Sequence, residues 1–450
     1  MYKIILAFRY LFRKRISYLA LGAVALCVFI VVVVMTVMSG LVNDFKRKNH
    51  DFVGDCVAGT DSLVGFAYYE DFMAILEQSD LIEAVSPVIN SYAMINPIGS
   101  ERNISIDLMG IDAARHSLVT GFGKSLYHNK SNPSRAFMPA YDPNLLGCVV
   151  GIDRWLSRDS RGKYPNEPVP FRAKLAISSF PLTARGTLAK AGAAEINTKT
   201  FYYSDNSKTG IARVDGSMVY VPFEWAQKLC GMDNPEKRTS AIYIKFKQGI
   251  RLEQGRSNVA RLWRDFKSSN SDKSRANLLD NVTVQSWKEN RRTFIAAMEK
   301  EQTLMTVMFG LVGLTTVFIV FVVFYMIISH KSKDIGILKS IGVARADIIG
   351  LFCNFAFLVG SIGSIMGVLG GCVFLAYINP IEKWLYQQYG FQMWDRMLFV
   401  GIDEIPNAIN LKVLLTIIIC AVSASLAGAI LPSFKAAGLK PVETLQVNQL

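Results

Sequence analysis

Charge is missing from four long stretches of this 450-residue chain. Ile16–Met38, Thr303–Ser329, Ile348–Asn379 and Val413–Phe434 contain no Asp, Glu, Lys or Arg. A helix rising about 1.5 Å per residue needs about 20 apolar residues to cross the hydrocarbon core of a bilayer. Each stretch is long enough, and the third exceeds what a soluble core helix would leave uncharged. The same absence argues against a self-powered carrier or channel, because ion pumps and proton-coupled carriers use an acid or base within the membrane. Energy then comes from elsewhere.

Catalytic signatures are equally scarce. The four histidines, His50, His116, His128 and His330, are scattered without HExxH or paired-ligand spacing, so no metal site is predicted. GxSxG and CxxC are absent. Gly121-Phe-Gly-Lys-Ser-Leu126 imitates the end of a phosphate-binding loop, but Leu118 stands where that motif needs glycine and no hydrophobic strand precedes it. Nothing here supports an enzyme or a cofactor held by this chain. Of seven cysteines, Cys27, Cys353, Cys372 and Cys420 fall in the apolar stretches, where cysteine is a small apolar filler. Cys56, Cys148 and Cys230 lie between the first two stretches and leave both one disulfide and free core thiols open.

What is present is a formal net charge of +13, and its location decides its meaning. Lys3, Arg9, Arg13, Lys14 and Arg15 precede the first stretch without an acid, and Lys331, Lys333, Lys339 and Arg345 follow the second. The connection between the third and fourth is acid-rich, with Glu382, Asp395, Asp403 and Glu404 against Lys383, Arg396 and Lys412. Short basic segments stay cytoplasmic, which predicts both termini inside and a large external domain after the first span. Lys46, Arg47 and Lys48 point weakly the other way. Nucleic acid is not an expected partner; membrane lipid is. The first stretch reads as an uncleaved anchor, being longer than a secretory h-region and lacking a clear cleavage site.

The resulting class is a multi-pass α-helical membrane protein of four spans with a large mixed α/β extracytoplasmic domain between helices one and two. The expected divisions are an amphipathic cytoplasmic helix at 1–15, spans at 16–42, 301–329, 348–379 and 413–434, and an external domain at 43–300. A cytoplasmic segment at 330–347, a short external loop at 380–412 and a cytoplasmic tail at 435–450 complete them. Ile4, Phe8, Leu11 and Phe12 share one face of the first segment, as a helix lying among lipid headgroups requires.

Within the external domain, strands are predicted at Ala84–Ile95, Ile104–Ile111, Cys148–Ile152, Phe171–Ile177, Ser217–Pro222 and Ala241–Phe246. Helices are predicted at Glu70–Leu81, Phe223–Leu229 and Leu252–Phe266. Tyr127–Asn144 reads as a loop. Residues 51–100 carry eight acids and no Lys or Arg, whereas 151–300 are basic, which suggests two subdomains. Lys288–Gln302 reads as a helical stalk entering the second span. Gly363, Gly367 and Gly371 recur every fourth residue, a face that lets helix backbones approach in lipid, and Ala421, Ser425 and Ala429 offer the same.

The segment His330-Lys-Ser-Lys-Asp-Ile-Gly-Ile-Leu-Lys-Ser-Ile-Gly-Val-Ala-Arg-Ala-Asp-Ile-Ile-Gly350 is too rich in aliphatics for a plain connection. Ile335, Ile337, Leu338 and Ile341 are expected to be exposed for a partner. It closely resembles the coupling helix of the FtsX-like/MacB-type (type VII) ABC transporter permeases. Met38-Ser-Gly40, Val219-Tyr-Val-Pro222, Ser286-Trp-Lys-Glu-Asn290 with Glu299-Lys300, and Pro441-Val-Glu-Thr-Leu445 extend the resemblance in the family's order, most similar to its lipoprotein-releasing LolC/LolE-like branch. Val343 departs from the usual Ala or Ser, and Tyr127–Asn144 and Arg154–Pro170 do not align.

The resemblance implies that Lys333, Asp334, Ile335, Gly336, Ile337, Leu338, Lys339, Ile341 and Gly342 couple to a separate cytoplasmic LolD/MacB-type ATPase, which binds the ATP and Mg. It also implies a second permease (the same chain or a paralogue), a lipoprotein cargo and a periplasmic chaperone, at the bacterial inner membrane. Motion would pass by mechanotransmission without a continuous pore. Val33, Val37 and Met38 with Met305, Met308 and Phe309 either line an apolar cargo groove or simply pack helix on helix. The other functions open to such a chain are transmembrane control of a cell-wall hydrolase and the permease role in a tripartite efflux system.

Overall fold

The computed structural model describes residues 15–99, 102–156, 164, 172–183, 185–187, 196–234, 236–391 and 404–439. Nearly all of the expected 1–15 helix, most of Arg154–Pro170 and the tail motif Pro441–Leu445 lie outside them. The principal helices are α1 (Arg15–Val53), α2 (Tyr69–Glu77), α3 (Phe223–Cys230), α4 (Leu252–Ser269), α5 (Arg292–His330), α6 (Ser332–Ser340), α7 (Arg345–Tyr389) and α8 (Leu411–Gly438). The strands are β1 (Cys56–Gly59), β2 (Phe66–Ala67), β3 (Ile82–Pro97), β4 (Ile104–Ile111), β5 (Gly147–Gly151), β6 (Lys174–Ser179), β7 (Asn197–Ser207), β8 (Met218–Pro222), β9 (Arg238–Thr239), β10 (Ala241–Phe246) and β11 (Thr283–Ser286). Two compact units result: Asp44–Ala296, and a helical unit built from the chain up to Asn43, from Ala297 to Trp394 and beyond Glu404.

In the α/β unit nine strands run β11-β1-β10-β3-β4-β8-β5-β7-β6, β6 returns to pair with β3, and β2 pairs with β9 apart from them. Six strands, β3, β4, β8, β5, β7 and β6, therefore form a closed ring, while β11, β1 and β10 continue from β3 as an open sheet. The first half of β3 pairs antiparallel with β10, from Ile82↔Phe246 to Val88↔Ala241, and its second half pairs with β4, from Val88↔Ile111 to Ile95↔Ile104. Parallel pairing occurs at β4–β8 and β5–β7. Central strands are buried on both faces, so β5 reads as a continuous apolar run and β10 does so as far as Lys245.

Two cores follow. Against the open sheet, α2 and α4 bury Phe72, Leu76, Trp263 and Phe266 with Phe66, the Phe72 and Trp263 rings meeting edge to face at 4.8 Å. In the ring, Ile95, Leu108, Val150, Phe201 and Val219 gather with Leu229 of α3. Each such side chain contributes about 1.5–3 kcal/mol by leaving water. Cys56, Cys148 and Cys230 are buried and free, and burial pushes the Cys56 thiol up to about 12. Unpaired core thiols are thus what this structure contains.

Among the described residues, four helices are long and apolar enough to cross a membrane: α1, α5, α7 and α8. Regular structure runs past the uncharged stretches. Helix α5 begins at Arg292 and so contains most of the predicted stalk, and α7 continues through Pro380 to Tyr389, where Gly390 turns the chain at φ 65°. Ala20, Val24, Val28 and Val32 form the buried stripe of α1. Against it lie the α7 glycines: a Cβ on Gly363 would meet the Val24 side chain at 3.0 Å, one on Gly367 the Ala25 carbonyl at 2.5 Å, and one on Gly371 the Val32 side chain at 2.9 Å. Backbones this close leave room only for hydrogen. Ser425 of α8 faces Gly360 of α7 in the same way.

Candidate functional site

Helix α6 begins two residues after α5 ends and stops five residues before α7 starts, pinned between two apolar helices. Its stop is built into the sequence. The Val343 amide donates to the Leu338 carbonyl at 3.2 Å and the Gly342 amide to the Lys339 carbonyl at 3.1 Å, with Gly342 at φ 95°. This is a Schellman closure, which requires a left-handed residue, supplied at least strain by glycine, and often pairs the residue after it with the last helical turn. Val343 accordingly packs on the apolar cluster of the bundle. A half-buried aliphatic suits that position.

The predicted coupling residues separate into two faces. Ile335 is only 3% exposed and Gly336 is buried, whereas Ile337 is 48% and Ile341 76% exposed. Leu338 turns inward with Ile335 toward Ile327, Ile348, Phe352 and Phe355 around a small apolar cavity. The expectation that all four aliphatics are exposed is therefore corrected for Ile335 and Leu338. Neighbouring helices supply an apolar wall on one side of α6 only.

The charged positions divide similarly. Asp334 pairs with Lys331 one turn earlier. Lys339 reaches α8 instead of solvent, its Nζ donating to the carbonyls of Ala437 at 2.9 Å and Leu439 at 2.5 Å. Those carbonyls lie at a helix C-terminus, where a cation both satisfies unpaired acceptors and complements the dipole. Lys333, Ile337, Ile341 and Gly342 remain outward. Their spacing of about one turn places an aliphatic pair beside a cation on one exposed strip, suited to seat in a partner's groove.

The six groove candidates are not drawn into one cluster. Val33 and Val37 pack at the edge of the bundle's apolar core. Met38, Met305 and Phe309 are half-buried, and Met308 is 59% exposed. One relationship was not anticipated. A Cβ on Gly40 would meet the Pro406 ring carbon at 2.5 Å, while Asn379 holds Ile405 through its amide and carbonyl, at 2.9 and 3.2 Å. The glycine in Met38-Ser-Gly40 thus seats the segment leading into α8. Its signal in the sequence is a glycine at a position where helix propensity favours almost anything else.

Residues 306–441, which contain α6 and the helices around it, match the model of the FtsX-like permease C-terminal domain. Along 97% of its length the chain is 22% identical to the lipoprotein-releasing system transmembrane protein LolC of Xylella fastidiosa, covering 97% of that protein. It is 21% identical to LolC of Neisseria meningitidis serogroup B, with 97% of this chain and 95% of that one aligned. Among solved structures, the periplasmic region of MacB from Actinobacillus actinomycetemcomitans aligns at a TM-score of 0.30 and 11% identity, covering 56% of this chain and 97% of that one. The extracellular domain of the transporter YknZ from Gram-positive bacteria gives 0.29 and 13%, covering 52% and 98%. Residues 306–441 thus match an FtsX-like permease domain, in a chain similar over nearly its whole length to LolC transmembrane proteins.

Proposed function

We propose that this chain is the membrane-spanning permease subunit of an ABC transporter, driven by a separate cytoplasmic ATPase that binds ATP and Mg, and that it releases lipid-anchored proteins from the outer leaflet of the bacterial inner membrane. The reading places both termini in the cytoplasm and Asp44–Ala296 outside, beside a periplasmic chaperone and a second permease. The observation that carries it is the exposed Ile337–Ile341 strip of α6 within the FtsX-like domain. Aliphatics held outward on a short helix between two spans suit docking into a rigid groove, and α5 and α7, which flank α6, would take up its displacement. No polar pathway through the bundle is needed, because motion is transmitted and cargo stays on the outer side. The similarity to lipoprotein-releasing proteins along the whole chain supports the cargo class.

The test is the distribution of lipidated proteins between inner membrane and soluble chaperone fractions after depletion of this chain. Accumulation at the inner membrane is expected, and normal sorting would overturn the cargo assignment. Within the complex, Val37→Asp or Met308→Asp should reduce release while leaving ATPase association intact. Unchanged release would remove these residues from the cargo path.

A further inference from the structure

A cavity of about 750 Å³ in the α/β unit lies between the sheet and two helical walls. Phe45, Asn49 and Phe52 of α1 contribute one wall, and Arg291 and Phe294 the other. The Arg291 guanidinium lies 4.6 Å from the centre of the Phe52 ring and 5.5 Å from that of Phe294. Its Nε is buried without an acceptor. Burial, with a smaller contribution from nearby Arg213, holds its pKa below the ordinary arginine value.

The other charges around the cavity are accounted for. Arg213 stands 4.0 Å from Asp107, which also accepts the Ser217 hydroxyl at 2.7 Å, and Asp61 is exposed. Among the described residues, Arg291 is left as a cation whose desolvation no carboxylate offsets. A guanidinium held in such surroundings without a counter-anion is destabilising. A bound anion that fits its planar fork would recover that cost, and phosphate and carboxylate both do.

We infer that this cavity binds the phosphodiester headgroup of a glycerophospholipid, with Arg291 as the anchoring cation. One unmatched positive charge fits a phosphodiester, a monoanion, better than a doubly charged phosphomonoester. The two phenyl rings beside it suit the glycerol ester region. Both walls also continue in sequence into uncharged stretches, α1 from Met38 backward and α5 from Thr303 onward. An amphiphile, which offers these rings an ester and acyl region as well as an anion for Arg291, suits the lining better than a soluble diester does. The assignment is independent of the protein cargo proposed above.

The test is a binding titration on the purified full-length chain in a neutral detergent, with three probes: dihexanoylphosphatidylglycerol, its deacylated product glycerophosphoglycerol, and a hexaglutamate peptide. Saturable binding of the short-chain lipid is expected. Arg291→Met should weaken it about tenfold or more, as expected for loss of a charge-assisted hydrogen bond, while Arg291→Lys loses only a few-fold. Arg291→Met should melt no lower than the parent without ligand, which separates lost recognition from lost folding. Equal affinity for glycerophosphoglycerol would overturn the lipid assignment in favour of a free diester. Binding of hexaglutamate alone, no saturable lipid binding, or unchanged lipid affinity in Arg291→Met would overturn the site.

Discussion

The ammonium of Lys339 donates to the carbonyl of Ala437 at 2.9 Å, fastening α6 to the last turn of α8. A residue that the family pattern places at a partner surface is thus engaged inside its own subunit. Lys339→Met should leave ATPase co-purification in place but lower the stability of the helical unit by about 1–2 kcal/mol, as for a half-buried hydrogen bond to a charged group. Thermal melting in detergent measures this, and an unchanged melting point would mean the bond contributes nothing.

Ile337→Asp and Ile341→Asp should each abolish co-purification with the ATPase at unchanged melting temperature, because a carboxylate there is solvated in the free subunit and buried only in the complex. Leu338→Asp should behave differently. It puts a charge among Ile327, Ile335 and Phe352, so melting falls first and binding is lost with it. Survival of the complex in Ile337→Asp would remove α6 as the docking element.

At Gly367, any Cβ would fall 2.5 Å from the Ala25 carbonyl, whereas Gly310 on α5 has nothing within 4 Å. Gly367→Val should therefore cost about 1–3 kcal/mol through overpacking, and Gly310→Val should be tolerated. Equal melting of the two variants would show that the close approach of α1 and α7 does not matter.

Acid sensitivity should come from two buried groups with opposite signs. His116 is fully buried, Nδ1 3.3 Å from the Ser86 hydroxyl, and burial pushes it down to about 3. The unfolded chain takes up the proton more readily, so the stability from its neutral ring is intact above about pH 6.5 and is lost as pH falls toward about 3. Asp215 is raised by burial to about 6 despite hydrogen bonds from Thr209 and Gly210. Its contribution is present below about pH 3.8 and lost as pH rises through about 6, so it softens the acid limb. Asp215→Asn should steepen that limb and His116→Phe should flatten it, read from denaturation of the α/β unit within the full chain between about pH 4 and 7. Parallel curves would sink the assignment.

The sequence was most legible where one physical pattern dominated. Uncharged runs marked the four long helices, and β4 and β10 appear with the predicted boundaries, because their apolar residues are bounded by turn residues. Strand β7 escaped notice since Asn197–Ser207 is largely polar. Its side chains are satisfied by remote groups, as where the Asp205 carboxylate accepts from the amides of His128 and Asn129. Strand β1 has only four residues, too few to show a period. On α6, aliphatics at 335, 337, 338 and 341 occupy several sides of a short helix. Only the neighbouring helices decide which of them turn inward, and the far partners of Lys339 and Gly40 lie beyond any local pattern.

Strand β3 belongs to both the open sheet and the closed ring, and no loop interrupts it from Ile82 to Pro97. Displacing either half against the other would require breaking rungs with β10, β4 or β6. A pull on one half of β3 is therefore carried to the other through continuous backbone and cross-strand ladders. The strand acts as a tie rod between the open sheet and the ring.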